Sequence, residues 1–130
     1  MSDQEWINWS NKFLTESFEP AVGPKLKKYE IMLTPDHFIR LRKTYQQGKQ
    51  EYYSFSIKRF AAITYLNSGV STDTLKLQTQ ADDIIVQTYN DPKGDVDSMA
   101  TTLNIPVKKI AASKIDSLKL ALSVLKARSL

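Results

Sequence analysis

The first apolar residues of the chain follow a helical period. Large apolar side chains recur near the 3.6-residue spacing of a helix at Trp6, Trp9, Phe13 and Leu14. Ser2 and Glu5 have the spacing of a capping box, in which each side chain satisfies a free backbone N–H. The pattern predicts a helix at about residues 3–17. It lies within an N-terminal segment, residues 1–19, that is either an arm or part of the core.

Residues 34–47 combine the signals of a helix start with a stripe of apolar positions. Thr34 suits an N-cap, and Pro35 suits the first helical position. The stripe consists of Phe38, Leu41 and Tyr45. We therefore predict a helix at about residues 35–47. The alternative is a hairpin arm that turns at residues 46–49.

The hydrophobic period changes to two after residue 51, which is typical of half-buried strands. Alternate positions carry the larger apolar side chains Tyr53, Phe55 and Ile57. Lys58 and Arg59 offer no turn chemistry, so the pattern predicts that this strand continues to Tyr65, either regularly or with a bulge.

Other strand patterns fill a sheet region at residues 28–90. They lie at about residues 29–33, 75–77 and 84–86. Residues 90–94, with the sequence Asn-Asp-Pro-Lys-Gly, form a strong turn signal. Because the connections are short, we predict that the strands pair as an antiparallel meander.

The last third of the chain returns to a helical period. Asp95 suits the cap of a helix that carries Val96, Met99, Ala100 and Leu103. Residues 104–106 interrupt this helix, and a longer one is predicted from about residue 107 to 128. The segment 95–128 is therefore predicted to be a helical hairpin.

These elements predict a single α+β domain over residues 1–130. An antiparallel sheet of about four strands packs against helices, with one N-terminal helix and two C-terminal helices. A chain of 130 residues with 42% hydrophobic residues can bury a core of its own.

Positive charge is concentrated at the C-terminal end. Residues 98–130 contain six basic residues and one acidic residue, whereas the whole chain has a net charge of +4. A basic segment of this kind suits a phosphate backbone, although a solvated helix face is the simpler explanation. Its candidate nucleic-acid contacts are Lys108, Lys109, Lys119 and Lys126.

A short motif overlaps this basic segment. Ala100 suits a tight contact between two helices, Asn104 a turn, and Ile110 a buried position of a second helix. In these positions residues 99–110 resemble the helix-turn-helix family of DNA-binding motifs. The resemblance implies that residues 107–109 begin a recognition helix, and an ordinary helical hairpin is the alternative.

A second basic and aromatic cluster lies in the sheet region. Its aromatic residues are Tyr52, Tyr53, Phe55 and Tyr65, and its candidate nucleic-acid contacts are Arg40, Arg42, Lys58 and Arg59. Aromatic side chains on an open sheet flanked by cations stack single-stranded bases. Because strand alternation turns about half of these rings inward, core packing is the competing interpretation.

The C-terminal helix carries apolar residues on a second face. Leu120 and Val124 project away from its main apolar stripe. We interpret this second face as a self-association surface, which a symmetric dimer covers. The competing explanation is that the N-terminal helix folds back over it.

The sequence contains no cysteine and only one histidine, His37. No catalytic constellation is found, so we expect no enzymatic activity. No cofactor is predicted, and no metal either, since Asp91, Asp95 and Asp97 lack the spacing of a calcium loop. No apolar run reaches the roughly 20 residues of a membrane helix, and we expect a cytoplasmic protein.

The predicted function is a small protein-interaction or assembly module that is homo-oligomeric. The alternative is a nucleic-acid-binding protein that uses the basic C-terminal third or the basic and aromatic sheet face. Another protein is a further possible partner, and a membrane is not expected.

Overall fold

The computed structural model of the protein describes residues 1–17, 26–67, 69, 73–91 and 93–129, of which 26, 27, 29, 89–91 and 93–98 are described through their backbone alone. Helix α1 spans Asp3–Ser17, and helix α2 spans Ala112–Ser129. The strands of this described part are β1 (Leu26–Leu33), β2 (Phe38–Tyr45), β3 (Gln50–Ser56), β4 (Phe60–Leu66), β5 (Asp73–Thr79), β6 (Ile84–Asp91), β7 (Lys93–Ala100) and β8 (Thr102–Val107).

The described strands form two antiparallel sheets. One sheet has five strands in the order β1-β2-β3-β6-β7, and the other has three in the order β4-β5-β8. The predicted α+β class with antiparallel pairing is confirmed. The prediction of one sheet of about four strands is wrong, because the chain changes sheet after β3, after β5 and after β7.

Helix α1 begins and packs as its sequence predicts. The Glu5 N–H donates to Ser2 Oγ at 3.2 Å, and the Ser2 N–H donates to Glu5 Oε1 at 3.0 Å, which completes the capping box. Its apolar side chains enter the core: Ile7, Phe13 and Leu14 are buried, and Trp6 and Trp9 are half-buried. Residues 3–17 are therefore a core element rather than an arm.

Helix α1 also protects an edge of the five-stranded sheet. The Asn11 side-chain amide donates to the carbonyl of Leu33 at 2.8 Å and accepts the Leu33 N–H at 2.7 Å. Strand β1 is an edge strand, and its unpaired backbone groups are a template for pairing with another chain. The Asn11 side chain satisfies these backbone groups at Leu33, the last residue of β1.

The predicted helix at residues 35–47 is wrong, and the hairpin alternative is confirmed. The segment forms β2, in which Ile39 and Leu41 are buried at the alternating positions of a strand. The hairpin turns as proposed: the Tyr45 N–H donates to Lys49 O at 2.8 Å, and Gly48 has a φ of 90°. The apolar residues at i, i+3 and i+7 therefore did not identify the structure of this segment, because the core buries residues at every second position instead.

The helix-start signals before β2 form a turn instead. The carbonyl of Thr34 accepts the His37 N–H at 3.0 Å, and Thr34 Oγ accepts the Phe38 N–H at 3.0 Å. His37 closes this turn with a φ of 63°, a left-handed backbone conformation that residues other than glycine adopt at an energetic cost. A capping side chain and a following proline suit this tight turn as well as a helix start.

The predicted continuous strand from residue 51 to 65 is also wrong. A 3₁₀ turn at Ile57–Arg59 follows β3, and Ser56 Oγ accepts the Lys58 N–H at 3.3 Å. This turn moves the chain from the five-stranded sheet into the three-stranded sheet. The serine hydroxyl supplies the turn chemistry that Lys58 and Arg59 lack.

The predicted helical hairpin at residues 95–128 contains only one helix. Residues 93–100 form β7 and residues 102–107 form β8. In β8 the buried residues Leu103, Ile105 and Val107 recur at every second position. Because residues 99–107 are extended, the resemblance to the helix-turn-helix family does not correspond to two helices.

One hydrophobic core joins both sheets and both helices. Strand β5 alternates strictly, and α2 contributes Leu118, Leu122 and Leu125. The five-stranded sheet packs one side on this core, here called its inner face, through Ile39, Leu41, Phe55 and Ile84. The opposite side, here called the outer face, is turned away from the core. No helix of the described residues is long and apolar enough to cross a membrane.

Candidate functional site

The outer face of the five-stranded sheet carries a depression of about 580 Å³. Side chains from β1, β2 and β3 line most of it: Glu30, Met32, Phe38, Arg40, Arg42 and Tyr52. Residues at every second position of a strand share a face, so β2 places Phe38, Arg40 and Arg42 side by side. The antiparallel register then sets Arg42 opposite Tyr52 and Arg40 opposite Ser54.

Arg42 is held in place by its neighbours across the sheet. Its Nε donates to Glu30 Oε2 at 2.8 Å, and its Nη2 contacts the same oxygen. Hydrogen bonding with Tyr52, and then with Glu30, raises the pKa of Arg42. The guanidinium is therefore a fixed positive charge beside the Tyr52 ring.

Glu30 serves two cations. Lys28 Nζ lies 2.7 Å from Glu30 Oε1, whereas Arg42 contacts the other carboxylate oxygen, Oε2. The hydrogen bond from Lys28, and then those from Arg42, hold the pKa of Glu30 below its usual value. One carboxylate thus faces two cations, so positive charge remains at this end of the face.

Arg40 is the most accessible cation of the depression. Its side chain is 55% exposed, and the nearest acidic oxygen, Asp36 Oδ2, is 3.9 Å from its Nη2. Its guanidinium carbon lies 5.7 Å from the centre of the Phe38 ring. An exposed ion pair of this length contributes little, so Arg40 can exchange Asp36 for an external anion at small cost.

Exposed apolar side chains border these charges. Met32 is 54% exposed on β1, and Met99 is 53% exposed on β7. They lie at the two ends of one row of paired residues across the sheet. In this row Met32 pairs with Arg40, Arg40 with Ser54, Ser54 with Ile85, and Ile85 with Met99. The outer face therefore combines arginines, aromatic rings and exposed apolar groups on one open surface.

The structure separates the predicted aromatic cluster. Tyr52 faces outward into the depression, whereas Tyr53, Phe55 and Tyr65 face the core. Lys43 lies over the ring of Tyr53, with its Nζ 5.0 Å from the ring centre. Alternation thus divides the cluster between two faces.

The inner side of the β2–β3 hairpin uses its rings and charges internally. Tyr45 donates to Glu51, and this hydrogen bond raises the pKa of Tyr45 to about 12. Lys49 Nζ lies 5.4 Å from the centre of the Tyr45 ring. These groups form contacts with one another on the inner side of the hairpin, away from the depression.

The remaining basic candidates do not join Arg40 and Arg42. Lys58 and Arg59 lie in the 3₁₀ turn, where Arg59 Nε is 3.8 Å from Asp83 Oδ1. Lys108 and Lys109 precede helix α2 and are exposed, and Lys119 is exposed on α2.

Lys126 has a structural contact of its own. Its ammonium donates to the carbonyl of Phe60 at 2.6 Å and so fastens α2 to the start of β4. Because α2 begins at Ala112 and not at about residue 107, Lys108 lies outside the helix that carries Lys119 and Lys126.

The single histidine lies where the chain ends meet. His37 Nδ1 is 2.6 Å from Ser129 Oγ, and His37 Nε2 is 3.9 Å from Asp3 Oδ2. Ser129 Oγ also donates to the carbonyl of Leu125 at 2.6 Å, so its proton is directed to the helix backbone. Ser129 then accepts a hydrogen bond from His37. The geometry fastens the ends of the chain and does not activate the hydroxyl as a nucleophile.

The candidate self-association residues are only partly covered. Leu120 is 55% exposed on α2, and Val124 is half-buried. Helix α1 reaches α2 near Arg128, whose Nη1 donates to Asp3 Oδ1 at 2.8 Å. The folded-back helix therefore leaves Leu120 uncovered.

Metal coordination finds no support among the described residues. No group of three or more potential ligands from His, Asp and Glu occurs there. The side chains of Asp91, Asp95 and Asp97 lie outside the described residues.

Comparison of the chain with protein-family models, with curated proteins and with solved structures finds no match. The outer face therefore has to be interpreted from its own chemistry.

Proposed function

We propose that the protein binds single-stranded nucleic acid on the outer face of its five-stranded sheet. One observation carries the proposal: Arg40, Arg42 and the rings of Phe38 and Tyr52 line one open depression. Phosphates bind arginine through paired charge-assisted hydrogen bonds, and unpaired bases stack on aromatic rings. Both kinds of group are needed together for this ligand.

The charge of the face agrees with an anionic ligand. Among the described outward side chains of its strands, Lys28, Arg40 and Arg42 oppose the single carboxylate of Glu30. Lys28 and Arg40 are exposed, so they can reach a phosphate without unfolding the sheet. Arg42 is already oriented by Glu30, which lowers the entropy lost when it binds.

The apolar groups favour a single strand over a duplex. In a duplex the base faces are stacked on one another, and a protein reaches phosphates and groove edges. Tyr52, Met32 and Met99 offer flat or flexible apolar contacts that suit exposed base faces. A purely electrostatic duplex interface has no use for two methionines that are each more than half exposed.

The experiment compares two pairs of cations by fluorescence anisotropy with a labelled oligothymidylate. The double variant Arg40→Gln/Arg42→Gln removes two charges from the outer face, and Lys114→Gln/Lys119→Gln removes two exposed charges from α2. We expect the arginine variant to weaken binding about tenfold or more, since each charged hydrogen bond contributes about 1.5–3 kcal/mol. The lysine variant should bind like wild type.

Equal losses in both variants would contradict the assignment to the outer face. Parallel titrations with an oligouridylate and with a duplex of the same length complete the test. A difference between the two single strands distinguishes RNA from DNA as the ligand, and tighter binding of the duplex would contradict a single-stranded ligand.

Self-association through α2 is a second candidate function. The observation in its favour is the 55% exposure of Leu120, which no other part of the described chain covers. An assembly module of this kind is compatible with nucleic-acid binding, because α2 packs on the core side of the molecule. Light scattering tests it: we expect a dimer for the wild type and a monomer for Leu120→Asp. A monomeric wild type at micromolar concentration would contradict it.

A further inference from the structure

The charged and apolar groups of the outer face are segregated across the sheet. The charges lie on β1 and β2, whereas the described outward side chains of β6 and β7 are uncharged: Ile85, Gln87 and Met99. Strand β3 lies between them and contributes Tyr52 and Ser54. Among the side chains that the structure describes, the face thus has a cationic half on β1 and β2 and an uncharged half, made of Ile85, Gln87 and Met99, and the two halves meet at β3.

We infer that the sugar–phosphate backbone of the ligand lies along β2 and that its bases extend over β3 and β6. This assignment rests on the proposed function and adds an orientation to it. Arg40 and Arg42 are two residues apart on one strand, which separates their Cα atoms by about 6.8 Å. That separation matches the step between successive phosphates of an extended single strand.

The uncharged half then forms the base-contacting surface. From β2 to β6 the sheet extends over two strand spacings, about 10 Å in all, which is comparable to the reach of a nucleotide from phosphate to base edge. Tyr52 meets the first part of this span and Ile85 meets the far part, while Met99 borders the far end from the next strand, β7.

Gln87 and Ser54 occupy the same span and can read base edges. The register places Gln87 beside Tyr52 and places Ser54 beside Ile85. An amide and a hydroxyl each donate and accept hydrogen bonds, which suits the edges of bases rather than phosphates. The two side chains are therefore specificity-determining candidates within the uncharged half.

The alternative orientation has the ligand crossing the strands, along the row from Met32 to Met99. In that orientation the arginines contact only one end of the ligand, and the far half of the face contacts phosphates as well as bases. The two orientations differ in which part of the ligand Met99 contacts.

The test uses two ligands of equal length: a short oligothymidylate and the same phosphodiester chain made fully abasic. Each is titrated against wild type, Arg40→Gln, Tyr52→Ala and Met99→Gln, and the ratio of the two dissociation constants is compared. We expect wild type to prefer the base-containing ligand by about five- to 150-fold, the range of stacking on one base.

The inferred orientation predicts opposite responses in the two halves. Arg40→Gln should weaken both ligands by the same factor and leave the ratio unchanged. Tyr52→Ala should move the ratio most of the way to one, and Met99→Gln should lower it about threefold. Leu66→Gln, at a similarly exposed apolar residue on β4, is the matched control and should change neither constant.

Two different failures are distinguishable. If neither ligand binds wild type, or if Arg40→Gln weakens neither, the proposed function itself is wrong. The orientation alone is wrong if the oligothymidylate binds in an Arg40-dependent way but Met99→Gln does not act on the base-containing ligand selectively. That result would be seen if Met99→Gln weakened both ligands equally or left both unchanged. Because Met99 is more than half exposed, its variant keeps the test valid even if Tyr52→Ala impairs folding.

Discussion

Two basic regions of this protein have very different surroundings. In the C-terminal region the lysines are dispersed: Lys108 and Lys109 precede α2, Lys119 is exposed, and Lys126 donates to the carbonyl of Phe60. On the outer face, Arg40 and Arg42 share one depression with Phe38 and Tyr52. The C-terminal region has more charge along the chain, and the outer face has charge combined with base-stacking groups.

Alternation along a strand brings side chains together into a site more effectively than a run of charge along the sequence does. A strand displays every second residue on one surface, and pairing brings the neighbours into register. Arg42 thereby meets both Glu30 and Tyr52, which fix its position. On α2, Lys126 is instead held by the carbonyl of Phe60, apart from any aromatic ring of the depression.

The largest expected stacking effect is at Tyr52. We expect Tyr52→Ala to weaken oligothymidylate binding by about 1–3 kcal/mol, the contribution of stacking on one base. Tyr45→Ala is the matched control, because Tyr45 is also a half-buried tyrosine of the same hairpin but lies on its inner side. Anisotropy titrations measure both, and a loss of the same size in the control would show that the hairpin rather than the outer face is responsible.

The next effect is the dependence of binding on salt. Three cations of the outer face predict a slope of log K against log salt of about −2, from about −0.7 for each phosphate of a single strand. Arg40→Gln should reduce the magnitude of this slope by about 0.7, and Lys119→Gln should leave it unchanged. A wild-type slope much steeper than −2, reduced by the lysine variant, would assign the interface to the C-terminal region.

A further variant distinguishes a lysine that stabilises the fold from the cations that bind the ligand. Lys126→Met removes the hydrogen bond to Phe60 O, and we expect it to lower the free energy of unfolding by about 1 kcal/mol. Affinity for the oligonucleotide should not change. Lys119→Met, on the same helix, should change neither quantity by a measurable amount. Urea denaturation provides the stability values, and an unchanged midpoint for Lys126→Met would mean that its contact with β4 contributes nothing.

The smallest effect is at Glu30. This carboxylate competes with phosphate for Lys28 and Arg42, so Glu30→Gln should raise affinity about two- to threefold, as exposed ion pairs contribute less than about 1 kcal/mol. Asp116→Gln, at an exposed acidic residue of α2, is the control for net charge. Weaker binding by Glu30→Gln would instead show that orienting Arg42 matters more than the competing charge.

The sequence predicted the elements that local signals specify. Ser2 and Glu5 located the start of α1, and strict alternation at Leu75 and Leu77 located β5. The errors arose where one segment satisfied two periods. Phe38, Leu41 and Tyr45 fit a helix, but Ile39 and Leu41 are the residues that the core buries.

Only part of the candidate site could be predicted from the sequence, for the same reason. Arg40, Arg42 and Tyr52 were predicted as candidates, whereas Phe38 was assigned to a helix stripe. Had residues 38–45 been interpreted as a strand, alternation would have placed Phe38 beside the two arginines. Glu30 and Met99 had no comparable signal, because strand pairing between distant segments brings them to the face.

The most direct test of the outer-face interface is to map it by NMR. Isotope-labelled protein of 14.8 kDa is titrated with the oligothymidylate, and backbone amide shifts are followed residue by residue. We expect the largest shifts on β2, β3 and β6, at Arg40, Arg42, Tyr52 and Gln87, while α2 is unaffected. Shifts concentrated at residues 108–128, with β2 unchanged, would contradict it.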